Sequence, residues 1–261
     1  MKTNKLLVII DDIKDINAYK ELGILSYALA LKNYSVGYNN TYSLDEIGKL
    51  DTKCYIIINK LLSCEDIDNL KKMVLPKNVV GIITEDYGLL SIFNNIEIIN
   101  FNMHYLTNYN TINLFLDDFN SCVVSTDITK EEIKEIFKNA KKDLILYLFG
   151  YNNVMYSKRK LLSNYNRFYN ESLPNNSKIN ANEKMSFIVH ESEDGTVFLT
   201  GDIYSSKSIM YDIEHVKYYL INTHFIAKEE VIRFITTDYN EYNEYFLNNK
   251  TYYDLKDEKN E

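Results

Sequence analysis

The sequence predicts an α/β fold organised around a parallel β-sheet, on the basis of two patterns. Short apolar runs recur along the first 150 residues. Helix-start signals stand between them, at a spacing of roughly 25 residues that is typical of strand–helix–strand units. Several of these starts combine Ser or Thr with an acid three residues later, which is the capping-box pattern. A barrel and a doubly wound open sheet both fit this alternation, and the pattern alone leaves both open.

Seven strands are predicted up to residue 149, because each run is short, apolar and bounded by polar residues. They lie at residues 6–10, 25–31, 54–59, 79–84, 96–101, 122–125 and 144–149. Helices are predicted between most of these strands, at residues 13–22, from residue 43, and at 63–72, 108–119 and 129–140. Ser43, Ser63 and Thr129 are the expected N-caps of three of them.

The regular alternation of strand and helix signals ends after residue 165. Residues 173–183 are polar, contain Pro174 and predict a loop. Asp194-Gly195 lies between two apolar runs, 185–190 and 197–200, and so predicts a β-hairpin. An eighth parallel strand at 216–221, a last helix at 228–239 and a charged tail at 254–261 complete the chain. We therefore expect one domain over residues 1–261, with a hairpin insertion at about 173–212 before the last strand.

Composition narrows the function classes. A net charge of −8 argues against broad nucleic-acid binding but allows a local basic patch. The turn after the first strand is Asp11-Asp12-Ile13 instead of a glycine-rich loop, so a dinucleotide site is not expected. Three cysteines without paired spacing indicate a reducing compartment, and no apolar run approaches the ~18 residues that span a membrane. These observations predict a cytoplasmic protein with no membrane partner and no metal site of its own.

The segment that follows the seventh strand has an unusual charge pattern. Between Tyr151 and Asn170 there are four cations and no acid, and aromatic residues interleave with the cations. Basic, hydroxyl and aromatic groups at a strand end predict a substrate-binding segment. The alternative is a solvated loop with a few anchoring aromatics. The binding residues expected here and at the end of the third strand are Asn59, Tyr156, Ser157, Lys158, Arg159, Asn164 and Tyr165.

Acid–base candidates follow other strands. Glu85-Asp86 ends the fourth strand, Asp127 ends the sixth and His104 follows the fifth. Carboxylates at the carboxyl ends of parallel strands are suited to proton transfer, although they are also ordinary helix caps. We predict Asp86, Asp127 and His104 as the catalytic residues. The spacing of the four histidines fits no metal motif, and no serine-nucleophile elbow is present.

The order of motifs resembles the collagenase-like peptidase family of unassigned catalytic type, peptidase U32. The most specific match is Phe149-Gly150 with the run from Met155 to Tyr165, which is similar to the family's "VHG…M…SKRxLLSNYF". Tyr42-Ser43-Leu44-Asp45-Glu46-Ile47 resembles its "NFTLEEL", and Glu193-Asp194-Gly195-Thr196 resembles its "ENGT" hairpin. The resemblance implies a TIM-barrel-like parallel (β/α) barrel with a β-hairpin insertion before the last strand.

The resemblance also implies activities. Family members act as proteases, or in the hydroxylation of tRNA, ribosomal RNA or ubiquinone precursors, and many hold an iron–sulfur cluster on four cysteines. Here Asn153 or a neighbour and Lys160 replace two of those cysteines, and the later pair is missing. We therefore expect no cofactor on this chain. The expected function is hydroxylation of tRNA wobble uridine, with tRNA and a cluster-bearing paralogue as partners. A peptidase and a non-catalytic binding subunit are the alternatives, so the resemblance leaves open whether the chain is an enzyme.

Overall fold

The computed structural model describes residues 3–102, 104–182 and 185–249. The predicted charged tail, 254–261, lies outside the described residues. Two sheets form the structure: a curled sheet of nine strands and a separate antiparallel sheet of four. Within the described ranges, no helix has the length and apolar character needed to cross a membrane.

Thirteen strands are described in chain order. They are β1 (Leu6–Ile9), β2 (Ser26–Ala30), β3 (Cys54–Ile58), β4 (Val79–Thr84), β5 (Glu97–Asn100), β6 (Ser121–Cys122), β7 (Leu144–Gly150), β8 (Asn153–Ser157), β9 (Asn176–Asn180), β10 (Ser186–Ser192), β11 (Gly195–Thr200), β12 (Tyr204–Ser205) and β13 (Val216–Asn222). The α-helices are α1 (Ile16–Glu21), α2 (Leu44–Gly48), α3 (Cys64–Leu70), α4 (Tyr109–Asp118), α5 (Lys130–Asn139), α6 (Leu161–Tyr169) and α7 (Lys228–Thr236).

The large sheet has the strand order β12-β7-β13-β1-β2-β3-β4-β5-β6. Its neighbours pair in parallel except β12, which is antiparallel to β7. The sheet curls until Val123, just after β6, forms a bridge to Ile145 in β7, and the Val124 N–H donates to the Ile145 carbonyl at 3.0 Å. The predicted parallel α/β fold is thus confirmed. In the described chain the β-pairing that joins the β6 end of the sheet to β7 is limited to this bridge, so the sheet forms a half-barrel and lacks the continuous ladder of a closed barrel.

The strands and helix starts follow from local sequence. β3 and β7 are buried along their whole length, which explains why they appear as unbroken apolar runs without alternation. The three predicted N-caps are present. Ser43, Ser63 and Thr129 each accept from the backbone N–H three residues on, and the acid at that position accepts from the cap's own N–H. Such caps begin α2, α3 and α5 at defined residues.

The antiparallel sheet has the order β8-β11-β10-β9, and β10 and β11 form the predicted hairpin. One expectation about this region was wrong: the polar stretch 173–183 contains strand β9, because its backbone pairs with β10. The basic segment after β7, for which a solvated loop was the alternative interpretation, forms β8 and helix α6. The antiparallel sheet therefore spans residues 153–200, beginning about twenty residues earlier than the predicted insertion.

The small sheet is attached at the carboxyl edge of the large one. Val197 and Leu199 of β11 pack against Val36, which follows β2. Lys60, just after β3, places its Nζ 3.1 Å from Asp66 Oδ1 and 3.2 Å from Asp194 Oδ1 in the hairpin turn. Only 12% of the Lys60 side chain is exposed, so this ion pair is partly shielded from solvent. These contacts hold the hairpin over the edge where the parallel strands end.

Candidate functional site

A cleft opens between the carboxyl edge of the large sheet and the small sheet. It is narrow, and the space within it that can hold the centres of water molecules is about 40 Å³. Four aromatic side chains contribute to its lining: Tyr38, Phe101, Tyr147 and Tyr151. Ile57 and Ile83 from neighbouring strands and Val197 and Leu199 from the hairpin supply aliphatic surface. The polar side chains in the lining include Asn59, Glu85, Asn153 and Asn222. A mostly apolar cleft with a few polar groups is the usual form of a small-molecule site.

The amides in this lining differ in what they already bind. Asn59 accepts from the Val36 N–H at 2.9 Å and donates to the Val36 carbonyl at 3.1 Å. Its amide therefore holds the loop after β2 and is occupied. Asn222 accepts from the His224 N–H at 3.2 Å. The Oδ1 of Asn153, by contrast, is buried and has no hydrogen-bond partner among the described residues. An unpaired buried acceptor is costly, so this atom favours a ligand that carries an N–H.

Glu85 is the carboxylate that lines the cleft. Its side chain reaches the open mouth and is exposed by surface area, yet concave protein walls surround it. Partial desolvation there raises the pKa of Glu85 to about 7, although the nearby His104 acts to lower it. At neutral pH the Glu85 population is divided between the acid and the carboxylate. Such a group can donate or accept a proton under physiological conditions.

The three predicted catalytic residues have different contacts in the structure. His104 Nδ1 lies 3.0 Å from Asp127 Oδ2, and about half of each side chain is exposed. Asp86 instead accepts from the Gly88 N–H at 2.7 Å and caps the 3₁₀-helix Tyr87–Ser91. Asp86 therefore has the cap role that was its alternative interpretation, while His104 and Asp127 form a pair. The catalytic assignment itself stays a prediction.

The predicted binding segment lies outside the lining of the cleft. Tyr156 of β8 is half-buried and donates its hydroxyl to the Asp194 carbonyl at 2.8 Å. Ser157 accepts from the Arg159 N–H at 3.2 Å, which shapes the turn into α6. Asn164 accepts from Arg167 at 3.2 Å on the exposed surface of α6. The remaining predicted residues, Lys158, Arg159 and Tyr165, are also exposed. Of the predicted binding set only Asn59 reaches the cleft.

Sequence reasoning did not select a second polar cluster at the same edge. His224, 1% exposed, places Nδ1 3.1 Å from Asp11 Oδ1, and the side-chain amides of Asn39 and Asn40 also bind that carboxylate. Burial would raise the pKa of Asp11, but these contacts outweigh it and the pKa is lowered. The His224 ring also meets Tyr38 edge-on, with 4.7 Å between ring centroids. The cluster therefore positions one wall of the cleft. The available signal was that Asp11 and His224 each follow the end of a parallel strand.

The cysteines do not fit a four-cysteine cluster. The chain has three: Cys54 on β3, Cys64 at the start of α3 and Cys122 on β6. Cys54 and Cys122 are buried, and burial raises the pKa of each thiol to about 12, which disfavours the thiolate that ligates iron. In the part of the chain that is described, no group of three or more His, Cys, Asp or Glu residues is placed to hold a metal ion.

Comparison with known proteins places the matched part of the chain in a known family. A family model described as peptidase family U32 matches residues 42–200, which is more than half of the chain. The matched range begins before α2 and ends with β11, so it includes the ends of β3 to β7, the basic segment and the hairpin over the cleft. No curated protein matches the sequence.

Proposed function

The chain belongs to peptidase family U32, and from this membership we propose that it binds the substrate in the hydroxylation of tRNA wobble uridine, together with a family paralogue that carries the iron–sulfur cluster. The observation that supports this most directly is the cleft with aromatic walls and an unpaired amide oxygen. The tRNA hydroxylation activity is what the family resemblance implies, and the binding role rests on this chain's own residues.

The lining of the cleft suits a planar, neutral, hydrogen-bonding group. Stacking of a base on an aromatic ring contributes about 1–3 kcal/mol per base. Phe101 and Tyr151 are half-buried and so leave ring surface for such contact. The Oδ1 of Asn153 accepts one N–H, which the N3 of a uracil ring supplies. Protonated Glu85 donates to a carbonyl oxygen, and a pKa of about 7 keeps a substantial protonated fraction at neutral pH. A uracil ring offers both groups on one edge.

In this proposal the chain binds and orients the base and limits the access of water. Hydroxylation converts a C–H bond into a C–O bond and requires an oxidant, which the cluster-bearing paralogue would handle. The three cysteines of this chain do not fit that task, as two are buried in separate strands. The role is therefore compatible with a non-catalytic subunit, since positioning alone can raise the rate of a partner's reaction.

The test is genetic. Deletion of the gene should lower hydroxyuridine-type modifications in bulk tRNA, measured by mass spectrometry of nucleosides. Wild-type protein and Glu135→Leu, a matched change at an exposed carboxylate on α5, should restore them. Glu85→Leu and Asn153→Leu should restore them poorly, because each removes a hydrogen-bonding group of the cleft. Unchanged modification levels in the deletion strain would contradict the proposal.

Peptide hydrolysis is the second candidate function, favoured by one observation. Glu85 has a pKa near neutrality and is close enough to His104 to interact with it electrostatically, while His104 contacts Asp127. Such a set suits activation of a water molecule. Purified protein incubated with gelatin and a peptide library should then cleave them, and Glu85→Gln should abolish the cleavage. Absence of cleavage by the wild-type protein would remove this candidate.

A further inference from the structure

Helix α6 presents aromatic side chains to solvent. Phe168 is 80% exposed, Tyr169 60% and Tyr165 45%. The rings contact one another, with centroid distances of 4.7 Å between Tyr165 and Tyr169 and 4.9 Å between Phe168 and Tyr169. Leu162 is the residue of this helix that is buried. A surface helix normally turns its aromatic side chains toward the core, so a contiguous set of exposed rings indicates an interaction surface.

The same surface is positively charged. Lys158, Arg159 and Lys160 lie in the turn before α6, Arg167 lies in its last turn, and all four are exposed. The lysines and Arg159 form no ion pair with another residue that the structure describes. No acid occurs between residues 151 and 170, although the whole protein carries a net charge of −8. The local field therefore attracts an anionic partner that the rest of the surface repels.

The helix is also held firmly in place. The buried carboxylate of Glu191 accepts from the Leu162 N–H at 2.8 Å and the Ser163 N–H at 3.1 Å, which closes the N-terminus of α6. The Leu161 N–H donates to Thr196 Oγ1 at 2.9 Å. Since β10 and β11 supply both acceptors, the rings stand on a rigid sheet and lose little entropy on binding.

We propose that the exposed rings of α6 and the cations beside them bind a single-stranded RNA segment, with unpaired bases stacked on Tyr165, Phe168 and Tyr169 and phosphates held by Lys158 and Arg159. Stacking rings beside a track of cations is the combination that recognises single-stranded nucleic acid. An apolar protein partner would leave those four cations without counter-charges. The inference rests on the proposed function, because it names the part of the RNA substrate that flanks the base in the cleft.

The test uses the purified full chain and a fluorescently labelled twelve-nucleotide oligouridine, with binding followed by fluorescence anisotropy at several salt concentrations. Phe168→Ala combined with Tyr169→Ala should weaken binding at least tenfold, since one stacking contact contributes about 1–3 kcal/mol and about 1.4 kcal/mol corresponds to tenfold. Tyr211→Ala, a matched change at an exposed tyrosine elsewhere, should leave binding unchanged.

The cations are tested separately. Lys158→Ala with Arg159→Ala should reduce the slope of log K against log salt concentration by about 1.4, at about 0.7 per phosphate contact on a single strand. Lys49→Ala with Lys53→Ala, a matched pair of exposed lysines, should leave the slope unchanged. Circular dichroism and thermal melting establish that each variant is folded. The two pairs of variants test the stacking and the phosphate contacts separately, because one removes rings and the other removes charge.

Several outcomes overturn the inference. These are no oligonucleotide binding by the wild-type protein, wild-type affinity and salt dependence in both pairs of variants, or capture of the paralogue through α6 without RNA. The inference and the proposed function fail separately. Oligonucleotide binding that depends on α6, with tRNA hydroxylation unchanged on gene deletion, overturns the proposed function alone. Loss of hydroxylation on deletion, with binding insensitive to the α6 variants, overturns this inference alone.

Discussion

The Glu191 carboxylate closes the N-terminus of α6 and joins that helix to the small sheet. It accepts from the backbone N–H groups of Leu162 and Ser163, and it also accepts from the Ser163 and Thr196 hydroxyls. Only 4% of the residue is exposed, although it lies just beneath the protein surface under a single helix. Glu191→Gln keeps the size of the side chain but replaces one acceptor oxygen with an NH₂ donor. That NH₂ group would then face N–H and O–H donors.

The cost follows from the donors that lose their acceptor. The Leu162 N–H is buried, and an unsatisfied buried donor costs about 1–3 kcal/mol. The loss of a capping interaction costs about 1 kcal/mol. The Thr196 hydroxyl contributes less, because the Arg159 carbonyl at 2.8 Å is an alternative acceptor for its proton. We expect Glu191→Gln to lower the free energy of unfolding by about 2–4 kcal/mol, which for a chain of this size is about 4–8 °C in Tm.

The pH dependence gives a second measure of the same interaction. Burial would raise the pKa of Glu191, but the hydrogen bonds from Ser163, Thr196 and Leu162 outweigh it and the pKa is lowered. A carboxylate whose pKa is lower in the folded state stabilises the fold above its unfolded-state pKa, and that stabilisation is lost as the pH falls through the folded-state pKa. The difference in Tm between wild type and Glu191→Gln should therefore be largest near pH 7. This difference in Tm should become smaller when the pH falls below the ordinary pKa of a glutamate.

The assay is thermal melting between pH 3 and pH 8, with amide hydrogen exchange to locate the change in α6. The matched control is Glu193→Gln, the same substitution at an exposed position two residues on, which should stay within about 0.5 kcal/mol of wild type. If Glu191→Gln melted within 1 °C of the wild type at pH 7 and kept its α6 amides protected, the capping argument would be refuted.

Three further predictions concern other sites. Lys207→Met should lower stability by about 2–3 kcal/mol in urea unfolding, because the buried Nζ donates to the Phe234 carbonyl at 2.7 Å at the end of α7. Gly195→Ala should cost about 3 kcal/mol or more by the same measurement, since its φ is +131° and a Cβ would lie 2.2 Å from the Ser157 carbonyl oxygen. The Glu85 carboxyl should titrate near pH 7 by NMR; because its folded-state pKa is raised, stability should fall as the pH rises through 7 in wild type but not in Glu85→Gln.

The confirmed predictions are those of structure that depends on residues close together in the sequence. Ser43 and Thr129 cap helices because their acidic partners stand three residues away, within one helical turn. The hairpin predicted from Asp194-Gly195 forms with Glu193 and Asp194 in its turn, and Gly195, which pairs with Ser192 at the start of β11, has a positive φ that glycine adopts easily. The rule that parallel strands end together places Asn59 and Glu85 at one edge of the large sheet, and both line the cleft.

Other features depend on partners distant in sequence. Strand β9 is polar and was not predicted, because it forms only by pairing with β10. In the first turn of helix α6 the Leu162 N–H donates to the Glu191 carboxylate, which lies 29 residues further along the chain. No pattern within residues 158–170 contains that acceptor. Local propensity sets what a segment can form, and pairing across the sheet sets what it does form.

The sequence by itself determined the parallel α/β alternation and the helix starts, since each depends on the order of neighbouring residues. Tertiary structure alone decided which side chains the cleft can use. It committed Asn59 to the loop after β2 and left Glu85 facing the cleft. The physical reason is that a polar group's availability depends on whether another backbone group has already satisfied it, and the contact that decides this comes from a distant part of the chain.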